Sequence, residues 1–445
     1  MPDRSRSRAR ERAPRLRPFR VAGAALTVAA LPMLASMGCG SQTRAAGSAA
    51  GTASSAAVQT APARCASAVA RALGVVAEHV YGEVGHGRIA APAVRRIASS
   101  SALIAALQAG DRRAAETALK AANRGQLVRI RVTAGRRTLA EYGSANAIAP
   151  ASAPIMDVSG RTIGTVVASE QGVQGYANTV GSIAEAQVLV RAGSRQLGGT
   201  TRPGPASIPN SGELSYRGKR YAVYSFPAVG FPSLALRTFV LAPVPSASAC
   251  GRTAAETAAD TIGAAGVRIY RSEQAGNRAR MVVRDFERSR SFQQAVVAGN
   301  KAATEAAIVA FFKTQLHVVR VRATLAGRLV ADLGGPHVLA PVGGKVRDAQ
   351  GRVVGSFLLS VQDDLGYLIL AHRFTGAQVL LRQGSTQIMG DLTPGPISVP
   401  GPISVPDRGE VAYRGVAYRA YSFVAEAFPT GPLQVSLLIP PVPGT

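Results

Sequence analysis

Ala186–Gln196 reads AQVLVRAGSRQ, and Ala377–Gln387 reads AQVLLRQGSTQ. The two stretches belong to a longer correspondence. Val128–Thr201 aligns with Val319–Leu392 at a constant offset of 191 residues and without a gap. LVRIRVT answers HVVRVRAT, and SGRTIG answers QGRVVG. Beyond that block PGP recurs at Pro203–Pro205 and Pro394–Pro396, and the second copy gains six residues because PGPISV is written twice. Register resumes with GELSYRGKRYAVYSF against GEVAYRGVAYRAYSF. A period this long exceeds that of solenoid repeats, so each copy is read as a folded domain. The expected division is 65–249 and 250–445.

Each copy has the same internal order. Val69, Leu73, Val76 and Val80 are three and four residues apart, the spacing of one face of a helix. Gly110 followed by Asp111, and Gly299 followed by Asn300, predict one helix ending and another being capped. The period then changes from about 3.6 to 2. VRIRV and VRVRA alternate apolar residues with Arg129, Arg131, Arg320 and Arg322, as half-buried strands do. These arginines read as a solvent-facing row on an edge strand, or as an anion-binding row. Further strands follow, with a hairpin about Arg217-Gly218. Tyr216, Tyr221 and Tyr224, with Tyr413, Tyr418 and Tyr421, are expected to anchor that hairpin by cross-strand packing. Short turns imply antiparallel pairing. The fold class is therefore α+β: in each copy a long N-terminal helix and small helices pack on an antiparallel sheet of five to six strands.

The chain of 445 residues carries a net charge of +26, of which +6 falls in residues 1–38. Such a balance favours anionic surfaces. No basic helix with interleaved aromatics and no nucleic-acid motif accompanies it, so nucleic acid is not an expected partner. Residues 1–39 read as a signal peptide: a basic start, the apolar run Val21–Ala35 interrupted by Pro32, then SMGC ending at Cys39. That ending resembles a bacterial lipoprotein processing box, with lipidation of Cys39. Ser36 stands where the box has a branched aliphatic residue, which leaves an ordinary cleaved signal as the alternative. Residues 40–64 are small and polar, the composition of a flexible tether. Export permits a disulfide between Cys65 and Cys250, one at the start of each copy; two free thiols are the alternative.

The order of elements resembles the Cache family of PAS-like extracellular sensor modules. The residues carrying the resemblance are the leading helix, the DxxGRxxG pattern at Asp157–Gly164, repeated at Asp348–Gly355, and the GSxQ turns at Gly193–Gln196 and Gly384–Gln387. The closing hairpin completes the set. The resemblance implies tandem sensor domains with a small ligand held against the sheet. Most family members continue into a membrane-spanning helix and a kinase or chemotaxis module, neither of which this sequence shows. A separate transmembrane signalling protein is then the expected reader of occupancy.

Within the aligned block, Asp363, Asp364, His372 and Arg373 replace Gly172, Val173, Gly181 and Ser182. They flank Gln362 and Tyr367, which both copies share as Gln171 and Tyr176. These six second-copy residues form the candidate ligand site. One acid meets a cationic group and Arg373 an anionic one, as an amino acid or other small polar metabolite requires. The bland reading places them in solvent around a strand end. No catalytic or cofactor motif is present, and the five His lack metal-ligand spacing, so no enzyme and no cofactor are expected. The expected protein is an exported sensor-type ligand-binding lipoprotein, membrane-anchored or secreted. The competing class is an envelope protein without a ligand that binds anionic surface polymers or a partner protein.

Overall fold

The computed structural model describes residues 60–445 except 88, 124, 126, 144–145, 316, 391–404 and 414. The expected leader, Cys39, most of the tether and most of the PGPISV duplication lie outside the described residues.

Helix α1 (Ala61–His86) opens the first copy and α6 (Ala254–Ala275) the second. The stripe read from the sequence is buried in α1 at Leu73, Val76 and Val80, with Val69 packed at its margin. Pro62 sits in the first turn, where its missing N–H costs no helical hydrogen bond. α6 starts with a full capping box, Thr253 and Glu256. Short helices follow in each copy: α2 (Ala90–Ala98), α3 (Ser101–Ala109) and α4 (Arg112–Ala122), then α7 (Asn277–Arg288), α8 (Arg290–Val297) and α9 (Lys301–Thr314). The predicted boundaries hold. Gly110 closes α3 at a φ of 63°, and the carboxylate of Asp111 accepts from the Ala114 N–H at 3.0 Å. Asn300 caps α9 in the same way through Ala303.

The class is α+β and every strand pair is antiparallel. The strands do not form one sheet per copy: those of the first copy divide between two sheets and those of the second among three. One sheet of the first copy is four-stranded, in spatial order Arg137–Gly143, Arg129–Ala134, Thr162–Ser169, Ala151–Met156, and the second copy repeats it as Arg328–Gly334, Arg320–Leu325, Val353–Ser360, Val342–Arg347. Even the register irregularity recurs, after Val132 in one and after Ala323 in the other. The remaining strands, centred on Lys219–Gly230 and Val416–Ala425, build the sheets that receive the long helices.

The four-stranded sheets correct the reading of the strand arginines. Arg129–Ala134 and Arg320–Leu325 are interior strands, not edges. Arg129 and Arg131 both reach Glu141 on the neighbouring strand, at 2.6 and 3.0 Å, and lie over the Phe231 ring at 4.6 and 5.5 Å. Arg320 and Arg322 repeat this with Asp332 and Phe428. The row thus clamps one sheet of a copy to the loop of its other sheet.

Three main cores result. The α2–α4 helices cover one four-stranded sheet around Ile97, Leu103 and Val166; α7–α9 cover the other around Phe286, Phe292 and Phe357. The largest core is shared by both copies. It contains α1, α6 and two helices that the sequence reading did not assign: α5 (Val173–Ala184) and α10 (Asp364–Thr375), the latter beginning where the alternative reading put a strand end.

A candidate ligand cleft between the copies

The shared core has an approximate two-fold repeat, visible residue by residue. The ring of Tyr224 lies against Gly74 of α1, and that of Tyr421 against Gly263 of α6; a Cβ at either glycine would enter the ring. Tyr224 therefore packs on the long helix, where its hydroxyl donates to Glu78 at 2.8 Å, as well as within its hairpin. The Tyr176 hydroxyl donates to the Ala77 carbonyl at 2.9 Å, and that of Tyr367 to the Gly266 carbonyl at 3.1 Å. Tyr81 and Tyr270 meet these two rings edge-on, each at 6.3 Å. Cys65 and Cys250 are bonded, with Cα atoms 5.8 Å apart, which joins the starts of α1 and α6.

The two extra helices pack across the repeat. α10 lies against α1 as well as against α6 of its own copy, and α5 lies against α6 as well as against α1 of its own copy. Arg268 of α6 fastens the end of α5, pairing with Glu185 at 2.7 Å and donating to the Ile183 carbonyl at 3.3 Å. Between α5 and α10, near the far end of α6 from the disulfide, is an open cleft of about 790 Å³.

Equivalent positions of α5 and α10 form opposite walls of this cleft. Asn178, Thr179 and Ser182 face from one side; their counterparts Ile369, Leu370 and Arg373 face from the other. Ile183 and Phe374 are likewise equivalent. Arg373 is held by Glu83 of α1, with Nε 3.4 Å from the carboxylate. The two positions equivalent to that ion pair are Ser182 and Ser272, which both line the cleft. Glu273 projects from α6 into the same space. Burial pushes its carboxyl above the ordinary value, against the pull of Arg278 at the start of α7. Among the described residues it has no hydrogen bond or ion pair. The cleft thus carries one half-buried acid without a hydrogen bond or ion pair, two guanidiniums, Arg278 and the partly neutralised Arg373, a polar wall and an apolar wall.

Of the six residues singled out from the sequence, Gln362 and Arg373 line the cleft. Asp363 is the N-cap of α10, its carboxylate accepting from the Gly366 N–H at 2.6 Å. Gly172 stands at the same place on α5 and offers no side-chain cap. Asp364 is buried and accepts from the Leu365 N–H at 2.9 Å. Burial raises its carboxyl and Asp363 raises it further, against the Leu365 hydrogen bond and the pull of His337. Tyr367 is fully buried in the shared core, and burial raises its hydroxyl. His372 reaches the Ala377 carbonyl through Nδ1 at 3.0 Å. Glu273 and Arg278 were missed. The one available signal was Glu273 standing where the first copy has Val84. The family-pattern residues serve turns: Asp157 accepts from the N–H groups of Ser159 and Arg161, and Asp348 from those of Gln350 and Arg352. Gln196 bonds Thr201 and Gly204, holding the PGP loop. Among the described residues, no helix is long and apolar enough to cross a membrane, and no cluster of three His, Cys, Asp or Glu could hold a metal ion.

No protein-family model matches the chain, and no curated protein does. Three solved structures show a distant likeness. The periplasmic domain of Vibrio cholerae LuxQ is 10% identical, with 41% of this chain and 97% of that chain covered at a TM-score of 0.24. The ligand-binding domain of the Pseudomonas fluorescens chemoreceptor CtaA, in complex with L-alanine, is 14% identical over 40% and 96%, at 0.27. An extracellular ligand binding receptor from Desulfohalobium retbaense is 12% identical over 52% and 47%, at 0.25.

Proposed function

We propose that the protein is an exported receptor for a small zwitterion, an amino acid or similar polar metabolite, held in the cleft between two Cache-like halves at 65–249 and 250–445. The observation that carries this reading is the unpaired Glu273 carboxylate facing the cleft that Arg373 also lines. A ligand ammonium gives Glu273 the direct ion pair that Arg278 does not make, and a ligand carboxylate competes with Glu83 for Arg373. Charge-assisted hydrogen bonds of this kind are stronger than neutral ones. Asn178, Thr179 and Ser182 offer polar contacts, while Ile369, Leu370 and Phe374 cover an apolar side chain. The volume is within the range of small-molecule sites. Asp363, Asp364, Tyr367 and His372 enter indirectly, by starting, seating and ending the α10 wall. On this reading Cys39 is the lipid anchor of the exported chain, and a separate membrane-spanning partner reads a change in the α5–α10 spacing.

Isothermal titration of the mature protein with the proteinogenic amino acids tests the reading. At least one member binds, and Glu273→Gln and Arg373→Ser each weaken it by about tenfold or more. Asp363→Ala, whose carboxylate is occupied by its own helix, leaves affinity within about twofold. Parent-like binding of every hit by both cleft variants sinks the proposal.

A further inference from the structure

The surface of α7 carries Arg280, Arg284 and Arg288, all exposed. Four-residue spacing puts them in one row on one face, about 6 Å apart along the helix. The opposite face buries Ala279, Val282 and Phe286. Both acids of this helix are engaged elsewhere. Asp285 accepts from the Gln315 side chain at 3.2 Å, and Glu287 accepts from the Lys345 N–H at 3.0 Å. Among the described residues none of the three arginines has an ion pair; Arg280 only donates to Asn277, at 2.6 Å. The row leads into a depression of about 550 Å³ where Arg288 is joined by Arg290 and Arg347. Two acids line the depression beside them: Glu287, engaged by Lys345, and Asp348, occupied by its own turn and by Arg352 at 2.7 Å.

An arginine-rich composition alone does not account for this patch, because the first copy is an internal control. The shared caps Ser100 and Ser289, and the turns at Asp157 and Asp348, fix the correspondence. Arg280, Arg288, Arg290 and Arg347 then stand where the first copy has Ala91, Ser99, Ser101 and Met156; only Arg284 has a cationic counterpart, Arg95.

We infer that the exposed row of α7 and the depression beside α8 form a docking track for a linear polyol-phosphate polymer, separate from the cleft. Guanidinium forks match phosphate oxygens two at a time, and their even spacing suits a chain with regularly repeated charges. The large apolar residues exposed on α7 and α8 are Met281 and Val297, and neither can stack a base, which disfavours a nucleic acid. A concave site with three converging arginines grips discrete groups on a flexible chain better than a flat lipid surface.

Fluorescence anisotropy with a labelled synthetic glycerol-phosphate oligomer and the whole mature protein tests this. The oligomer binds, and affinity falls as salt rises, because each neutralised phosphate releases a counterion. Giving the second copy the residues of the first, Arg288→Ser with Arg290→Ser and Arg347→Met, weakens binding by about tenfold or more. A charge-matched set in the first copy, Arg95→Ser with Arg136→Ser and Arg137→Ser, changes it by less than about twofold. The proposal falls if the oligomer fails to bind at low salt, or if both sets weaken it equally. It also falls if phosphatidylglycerol vesicles or a single-stranded oligonucleotide of equal charge compete better than the unlabelled oligomer.

Discussion

The lobe cores of the two copies solve one packing problem in two ways. In the first, Val166 opposes Ala153 across neighbouring strands; in the second, Phe357 occupies the Val166 position and Gly344 the Ala153 position. The larger ring takes the space that a Cβ on Gly344 would fill. Ile97 and Leu103 become Phe286 and Phe292 in the same exchange, and the three second-copy rings meet at 5.1 to 5.5 Å. The missing Cβ of Gly344 makes room for part of the larger Phe357 ring, a compensation across a pair of positions. No such compensation joins α5 to α10. There the polar wall of Asn178, Thr179 and Ser182 and the Arg373 wall face each other with Glu273 beside them. Framework positions co-vary to keep packing constant, whereas the cleft walls diverge in charge, which packing does not require.

Substitutions that treat the copies unequally break or sharpen that contrast. The largest effect is expected where the copies are joined. Cys65→Ser with Cys250→Ser opens a link across 185 residues and should cost about 2–5 kcal/mol in chemical denaturation. An unchanged midpoint means that the shared core alone sets their association. Next comes the lobe exchange. Gly344→Ala should cost about 1–3 kcal/mol through collision with Phe357, and Phe357→Val in the same chain should recover part of that loss. Strict additivity of the two changes rules out the compensation. A smaller effect is expected at the extra helices. Asp363→Ala removes the α10 cap and should cost about 1 kcal/mol, while Gly172→Asp should stabilise α5 by a few tenths, about the advantage of Asp over Gly at a cap.

The smallest effect concerns pH. Burial alone would raise the Glu141 and Asp332 carboxyls, but paired arginines hold both below their ordinary values. A carboxyl lowered on folding contributes stability that is present above its unfolded value and lost as pH falls through its folded value. Stability from these clamps should therefore persist at neutral pH and decline only below about pH 4. Glu141→Gln and Asp332→Asn should each flatten that part of the thermal-melting profile by a similar amount.

Much of the local structure was legible because its causes are local. Caps at Asp111 and Asn300, the two-residue hairpin turn at Arg217-Gly218 and the antiparallel pairing follow from residue type and spacing. α5 and α10 were illegible for an equally local reason. Gly175 and Gly181 lower the helix propensity of α5, and the apolar run Leu368–Leu370 reads as a strand. Burial of Tyr176 and Tyr367 against the long helices outweighs those preferences. The acids of QDDLG caught attention as a difference between copies, but a capping residue and a ligand-binding residue look alike until the helix beginning at Asp364 is seen.

Duplication, α+β class and the order of the leading helices and main strands were determined by the sequence alone, because each depends on neighbours or on self-comparison. Only the tertiary structure decided that α5 and α10 each seat on both long helices, so that Glu273 and Arg373 share one space. Residues so far apart meet through the fit of buried surfaces, and such a fit leaves no periodic trace along the chain.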